Sequence, residues 1–470
     1  MDSKELKDES ECTYVQFYGK DGHPMPVYSY KGHSMICVPM IPSALPKVNT
    51  IKFRPDDILM YSYPGAGSHW LFEMVNMILK GNCERVSAIK EDLLIEMAPM
   101  ETLEATESPR FLNSHLPIEL LPSELLKGHK IIYMNRNPKA MLVTFYRHLS
   151  GAKTFEYNGD ISSFFDLFMK GEIPNGDYFK HTREFYSLFK DNPNVLMVTY
   201  EGMKADLSKI VSRVAKFLGR TISDQLNKGI VDMCSFDKMK SEKEVVTSYL
   251  PEQSFKEDGT FYHSGKVDTW KKWLTVEQSE IMDARIQVDT MFALQRNGNI
   301  PTVDFEKMIK FVTRIVKSLK IGPENILVGV TTFNSFPRME FYMNSHTNLT
   351  QILKDINEIT EGRDFIYTDR ALNFSKTEAF TKAAGDREDA PNIAIVVVSK
   401  TSEGPKLTAE AALRLRNANT VVFAIGVGNL IKEFELYNIG GEHNMYHITD
   451  FDDLSLFEKE LIAKICGVMY

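Results

Sequence analysis

Three stretches of this chain carry residues with chemistry to offer. The first is Tyr63-Pro64-Gly65-Ala66-Gly67-Ser68-His69-Trp70. It lies between an apolar run, Ile58 to Tyr61, and a stretch whose apolar residues from Trp70 to Leu79 recur with helical spacing. A strand, a glycine turn and a helix N-terminus together suit an anion, because backbone N–H groups and the positive helix end converge on the turn. Ser68 is the expected N-cap and Gly81-Asn82 the expected helix end. Taken alone, the turn fits a plain strand-to-helix connection that binds nothing better than it fits an anion site. The second stretch holds His115, a residue type whose ordinary pKa near neutrality suits proton transfer. The third ends an apolar run, Ile131 to Met134, with Arg136, and a helix starts after Pro138 and carries Thr144. An arginine there either grips phosphate through two parallel N–H bonds or salt-bridges at a strand end.

The elements that must position these residues belong to a soluble, multidomain chain. Its 470 residues imply two or three domains, and 43% hydrophobic with 25% charged residues is an ordinary globular composition. A net charge of -8 argues against a general nucleic-acid binder. Five scattered cysteines, Cys12, Cys37, Cys83, Cys234 and Cys466, suggest reduced thiols in a cytoplasmic protein, with neither a disulfide framework nor zinc-ligand spacing. The charged N-terminal stretch is no signal peptide, and no apolar run is long enough to span a bilayer. Residues 1–20 read as a mobile tail, and 27–56, with prolines at 39, 42, 46 and 55, as loop-rich chain.

From about Val27 to Asp283 the chain resembles the cytosolic sulfotransferases. FRPDDILMYSYP matches their lead-in, and YPGAGSHW resembles the loop usually written TYPKSGTTW. PRFLNSHLPIELLP resembles PRxxKTHLPxxLLP, and KIIYMNRNPKAMLVTFY resembles VIYxxRNPKDxxVSxY. FYHSGKVDTWKKWLTVEQSE resembles FxRKGxxGDWKxxFTxxQxE. The resemblance implies a P-loop-like α/β domain over 21–285 with a central parallel sheet. It implies that Gly65, Ala66, Gly67, Ser68, His69 and Trp70 hold the 5′-phosphosulfate of PAPS (3′-phosphoadenosine 5′-phosphosulfate). His115 would take the proton of an acceptor hydroxyl. Arg136 and Thr144 would bind the 3′-phosphate, and Gly265 belongs to the clamp on the same group. Tyr200 and Trp70 would meet adenine, while Phe236 and Met239 match nucleoside contacts. Lys271, Thr275, Val276 and Glu280 match the short element through which many members pair as homodimers. The plain alternative there is a helix start with Thr275 as N-cap.

At Ile286 the pattern changes. Apolar strands (IQVDTMFAL, NILVGVTTF, NIAIVVVS, NTVVFAIGVG) alternate with amphipathic segments such as DFEKMIKFVTRIVKSL and TQILKDINEIT, and RMEFYMNSH reads as a polar connection. Such alternation predicts a mostly parallel sheet covered on both faces. Residues 286–470 resemble a von Willebrand factor A domain, a Rossmann-like α/β fold, most specifically in FAIGVGNLIKEFELYNIGGEHNMYHITDF.

Both resemblances break at chemical positions. The family lysine after Tyr-Pro is Gly65, the lysine before Thr-His is Asn113, the second loop hydroxyl is His69, and the Arg-Lys of the 3′-phosphate clamp is His263-Ser264. One lost transition-state donor costs about 10²–10³ in rate, and two lost phosphate contacts cost on the order of 3–6 kcal/mol. His69 and His263 are candidates to restore part of the charge, because a neighbouring anion raises a histidine's pKa. In the A-like domain the oxygen ligands of a divalent cation align with Gln295-Arg296-Asn297-Gly298-Asn299, Ile366 and Lys400, a set that predicts no metal. Two functions follow. One is transfer of a sulfuryl group from PAPS to a hydroxyl or amine of a small-molecule acceptor. The alternative is a catalytically impaired binding or scaffold protein acting through a partner of the A-like domain.

Overall fold

The computed structural model describes residues 12–467, apart from 87–88, 190–191, 243–264, 284, 286, 297–299, 389, 419 and 442–443. His263 and Ser264, the expected acceptor-side loop at 245–262 and Asn297 to Asn299 therefore lie outside the described residues. Two compact units form, residues 12–185 with 192–282 and residues 186–189 with 283–467.

The first unit opens with an antiparallel meander of β1 (Thr13–Tyr18), β2 (Pro24–Tyr30) and β3 (His33–Ile36). This corrects the expected tail through residue 20 and the loop-rich reading that follows it. Tyr, Val and Phe supply strand formers, and Lys31 and Gly32 (φ 47° and 79°) make a two-residue hairpin turn of the left-handed kind that matches strand twist. The prolines that suggested loop come only after β3.

A four-stranded parallel sheet follows, built from β4 (Ile58–Ser62), β5 (Phe111–Ser114), β6 (Lys130–Asn135) and β7 (Val195–Thr199), in the order β5-β4-β6-β7. Every residue of β4 and β5 is buried, which is why β4 reads as an apolar run with no alternation, while β5 also buries the polar Asn113 and Ser114. Helix α1 (Ser68–Lys80) leaves β4 and α2 (Pro138–Gly151) leaves β6. The N-cap of α1 is Gly67 in a left-handed conformation without a side-chain bond, so Ser68 is the first helical residue and not the cap. Gly81 ends α1 at φ 70°, as the sequence predicts. Asn137 caps α2, its Oδ1 accepting from the N–H groups of Lys139 and Ala140 at 3.0 and 3.4 Å.

A buried ion pair pins the N-terminal end of this sheet. Arg110, 1% exposed, donates through Nε to Asp57 Oδ1 at 2.8 Å and through Nη2 to Asp57 Oδ2. Its remaining N–H groups meet the carbonyls of Leu103 and Lys52. A bidentate pair with its other donors satisfied is the form in which buried charges are tolerated.

Nearer the end of the first unit, helix Val276–Asp283 starts from a capping box. Thr275 Oγ1 accepts from the Gln278 N–H at 3.1 Å, and Gln278 Oε1 accepts from the Thr275 N–H at 3.0 Å.

The second unit runs β8 (Val288–Gln295), α3 (Thr302–Ser318), β9 (Ile326–Phe333), β10 (Pro337–Phe341), α4 (Leu349–Glu358), β11 (Asn392–Lys400), α5 (Pro405–Asn417), β12 (Thr420–Leu430), α6 (Glu433–Gly440), β13 (Met445–Ile448) and α7 (Leu454–Gly467). The sheet order is β10-β9-β8-β11-β12-β13, parallel except for β10. From β8 the chain steps one way to β9, and from β11 the other way to β12. Right-handed crossovers in opposite directions put helices on opposite faces, α3 with α4 and α7 on one and α5 with α6 on the other. The expected polar connection at Arg338–His346 is partly strand β10. It pairs on one side only, which is why it alternates between apolar and charged residues. Among the described residues no helix is long and apolar enough to cross a membrane.

Candidate active site

The candidate residues of the first unit meet because each directly follows a strand of one parallel sheet. The Tyr63–Gly67 turn follows β4, His115 follows β5, Arg136 follows β6 and Tyr200 follows β7. The carboxyl ends of parallel strands are where open α/β sheets place their ligand crevice. A cavity of about 420 Å³ opens there, lined by the turn, these three residues and Gly265.

The turn is built for close approach. Gly65 and Gly67 have φ of 86° and 106°, the left-handed region that only glycine enters without strain. A Cβ on Gly67 would lie 2.7 Å from the Tyr200 ring. Among the described residues the N–H groups of Gly65, Gly67 and Ser68 make no hydrogen bond, and all three residues line the cavity at the turn that leads into α1.

Arg136 stands beside this nest. Its Nη1 donates to the Gly65 carbonyl at 3.1 Å and to Thr144 Oγ1 at 3.0 Å, and its guanidinium carbon lies 3.9 Å from the Tyr200 ring centre. The side chain is buried, and its Nε has no hydrogen-bond partner. Among the described residues no carboxylate comes within ion-pair distance of it. Burial lowers its pKa, since the charged form is the one that loses hydration. Arg136 and Thr144, paired in the sequence reading as phosphate ligands, are thus in contact beside the turn, and the Glu201 carboxylate, beyond ion-pair distance, offsets part of the Arg136 charge.

Aromatic side chains close one side. Trp70 and Tyr200 meet edge to face at 5.4 Å, and Trp70 Nε1 donates to the Cys234 carbonyl at 2.8 Å. Gly265, at φ 62°, presses on Phe236 so closely that a Cβ would lie 2.4 Å from its ring. Met239 is buried behind Phe236, with its sulfur 3.2 Å from Arg85 Nη1.

Around His115 the structure adds residues that the sequence reading missed. The His115 Nδ1–H donates to the Ser62 carbonyl at 2.7 Å, which fixes the tautomer and leaves Nε2 as an acceptor. Lys90 Nζ lies 3.2 Å from that Nε2 and 3.1 Å from Asn113 Oδ1. Asn113 Nδ2 in turn donates to the Lys90 carbonyl at 2.7 Å, so the amide holds Lys90 at two points. Lys90 is 2% exposed. Burial, and then the Lys90 charge, hold the His115 pKa well below its ordinary value. Below them Glu96 accepts from the His115 N–H at 2.7 Å and from Ser114 Oγ at 2.9 Å, and burial raises its pKa to about 7.

His69, expected to face phosphate, instead meets Glu91 Oε1 at 2.7 Å, and the same oxygen is 3.8 Å from Lys90 Nζ. Burial works against the Glu91 charge, yet His69 and Lys90 together hold its pKa far below the ordinary carboxylate range. Glu91 Oε2 is buried without a partner. Lys90 and Glu91 escaped notice because they sit in a short 3₁₀ turn, Lys90–Leu93, with no motif of its own. The turn reaches the site through a parallel bridge between Leu94 and Asn113.

At the corresponding sheet end of the second unit, Gln295 closes β8 and is buried. Its Oε1 accepts from the Ser399 and Lys400 N–H groups and its Nε2 donates to the Lys400 carbonyl at 3.2 Å. Ile366 is fully buried in an apolar cluster, and Lys400 Nζ lies 3.4 Å from Glu403.

Residues 55–311 match the family model described as a sulfotransferase domain, and 289–460 match the model of the von Willebrand factor type A domain. The overlap, 289–311, folds with the second unit. The chain is 34% identical to sulfotransferase 1E1 of Bos taurus over 250 residues, covering 50% of this chain and 84% of that protein. It is 33% identical to sulfotransferase 1A1 of Mus musculus over 244 residues, covering 49% of this chain and 83% of that protein. Among solved structures it is similar to mouse sulfotransferase SULT7A1 complexed with PAP, at 28% identity and TM-score 0.47, covering 55% of this chain and 92% of that one. Carrying the strand-end turn, the RNPK block and a matched domain over more than half its length, the chain belongs to the sulfotransferase family, with a von Willebrand factor type A domain following.

Proposed function

We propose that the first unit binds PAPS and transfers its sulfuryl group to a hydroxyl or amine of a small-molecule acceptor. The observation that carries this reading is Arg136, a buried cation with no carboxylate partner among the described residues, set against Thr144 and a turn with three unpaired N–H groups. A protein tolerates such a charge where an anionic ligand completes it. In this reading the Gly65–Trp70 turn takes the phosphosulfate and Arg136 with Thr144 the 3′-phosphate. Trp70, Tyr200, Phe236 and Met239 take the nucleoside, and Gly265 allows close approach beside Phe236. His115 Nε2 accepts the acceptor proton. Its tautomer is the one that role requires.

A second reading, nucleotide binding without turnover, draws on Gly65, where the family lysine is absent, and on the Glu91 carboxylate beside the turn. Calorimetry with PAP, followed by labelled sulfuryl transfer from PAPS to a panel of phenols, alcohols and amines, separates the two. Micromolar PAP binding with transfer supports the enzyme, binding without transfer supports the second reading, and no binding at millimolar PAP overturns both.

For the rest of the chain we propose action in the cytoplasm and a protein partner for the A domain. Homodimers would form through Lys271, Thr275, Val276 and Glu280, where Val276 is 76% exposed. The A domain would work without a divalent cation at its sheet end, because the Gln295 amide is taken up by backbone and Ile366 and Lys400 offer no hard oxygen.

A further inference from the structure

We propose that Lys90 and Asn113 have exchanged roles relative to the family pattern, so that Lys90 supplies the cation at the point of sulfuryl transfer. The inference rests on the sulfotransferase reading. Family members carry lysine two residues before the base histidine, and this chain has Asn113 there. The ammonium is not missing from the site. It arrives from Lys90, on the neighbouring segment, with Nζ 3.2 Å from His115 Nε2. Asn113 serves it on both sides, accepting from Nζ at 3.1 Å and donating to the Lys90 carbonyl at 2.7 Å. A surface lysine that happened to lie near would not be 2% exposed, nor would its backbone be tied to the position it replaces.

In the transfer step the acceptor oxygen forms a bond to sulfur. The bond from sulfur to the bridging oxygen breaks, with its electron pair staying on the 5′-phosphate of PAP. The acceptor proton passes to His115 Nε2. Negative charge grows on the bridging oxygen, where an N–H donor from a buried ammonium is most effective. Before PAPS binds, Lys90 covers the lone pair of Nε2 and keeps His115 neutral. The anionic sulfuryl group draws Nζ away, and the base is uncovered only when cofactor is present.

The test uses the full chain with Lys90→Met, Asn113→Lys and the double variant Lys90→Met/Asn113→Lys. PAP and PAPS affinities are measured by calorimetry, and turnover by labelled transfer. Lys90→Met is expected to keep PAP binding within about threefold while lowering kcat by about 10²–10³. The double variant, with its ammonium back at the family position, is expected to recover at least tenfold of that loss, a rescue that a merely structural lysine would not produce. In the unliganded protein Lys90→Met should also raise the His115 pKa, read from imidazole resonances. Wild-type turnover in Lys90→Met, or a double variant no better than the single one with both folded, overturns the proposal. Where wild type binds PAP without turnover, the affinity ratio of PAPS to PAP decides. A preference for PAPS lost in Lys90→Met supports Lys90, and an unchanged ratio overturns it. Failure of wild type to bind PAP sinks the underlying nucleotide reading and the role of Lys90 with it.

Discussion

Replacing Arg136 by Gln should separate ligand binding from stability. In the unliganded protein the guanidinium is 6% exposed, its Nε lacks a partner, and the neighbouring Glu201 gives one oxygen to the Asn137 N–H. Burying a charge costs several kcal/mol even after relaxation, of which the Glu201 carboxylate offsets a part. Against that cost stand two bonds, to the Gly65 carbonyl and Thr144 Oγ1, and stacking on Tyr200. Bonds from a charged donor are worth about 1.5–3 kcal/mol each. The two sides nearly cancel, so Arg136→Gln should change unliganded stability by less than about 1 kcal/mol. Binding has no such cancellation. Two lost phosphate contacts amount to about 3–6 kcal/mol, and PAP affinity should fall about 10²–10⁴-fold. The assay is favourable because all three tryptophans, Trp70, Trp270 and Trp273, lie in the first unit, so fluorescence during urea unfolding reports on that unit. Calorimetry supplies the affinity. PAP binding within tenfold of wild type would refute the reasoning. So would a stability loss above about 2 kcal/mol, which would make Arg136 a strut between β6 and the turn and not a vacant ligand group.

Three further outcomes are expected. Glu91→Gln removes a carboxylate from beside the turn, so PAPS should bind tighter, by about 1–2 kcal/mol or roughly 5–30-fold in calorimetry at an effective dielectric constant of about 20, and unchanged or weaker binding counts against an anion site there. Glu96, with its folded pKa raised to about 7, keeps a proton between about pH 4.5 and pH 7 that the unfolded chain has released, so stability falls as pH rises through that window, by about 3 kcal/mol in total. Glu96→Gln should flatten that part of the tryptophan-monitored stability profile, and an unaltered slope would contradict it. Gln295→Ala strips partners from the Ser399 and Lys400 backbone groups and should destabilise the second unit by about 2–4 kcal/mol, seen as an earlier urea transition in far-UV circular dichroism that tryptophan does not follow.

Much of this was legible because the site is made of strand ends. A buried parallel strand is an apolar run whose end lies at the ligand edge, which is how Arg136 could be placed from the sequence, while His115 and Tyr200 were placed by the blocks that resemble the sulfotransferases. Lys90 could not. Its partner Asn113 is 23 residues away, and the two meet through a bridge, Leu94 to Asn113, that no local pattern announces. His69 was read as a helper for phosphate because its neighbours in sequence are a turn. The carboxylate that claims it comes from Glu91 on the same unannounced segment. The strand Thr13–Tyr18 was missed for another reason. Its residues are mostly exposed, and it is held by pairing with β2.

Asn113 and Gln295 point to a common physical rule across the two units. Both are buried amides at the carboxyl end of a parallel strand, and both turn their hydrogen-bonding capacity onto the protein itself. Asn113 binds the Lys90 carbonyl and ammonium, and Gln295 binds the Ser399–Lys400 backbone. An amide suits such a slot because it donates and accepts at once, leaving no buried charge to be balanced. Arg136 breaks the rule. It keeps a full charge in a buried place and leaves a donor unpaired. A site whose ligand did not matter would be free of that charge at little cost, since a neutral side chain relieves a desolvation penalty. Gly65 bears on the same point. At φ 86° a lysine there would cost about 1–2 kcal/mol in backbone strain, so Gly65→Lys is not a simple reversal of the family difference. A cation that is to serve the turn must come from another segment, and Lys90 is the ammonium in contact with the base.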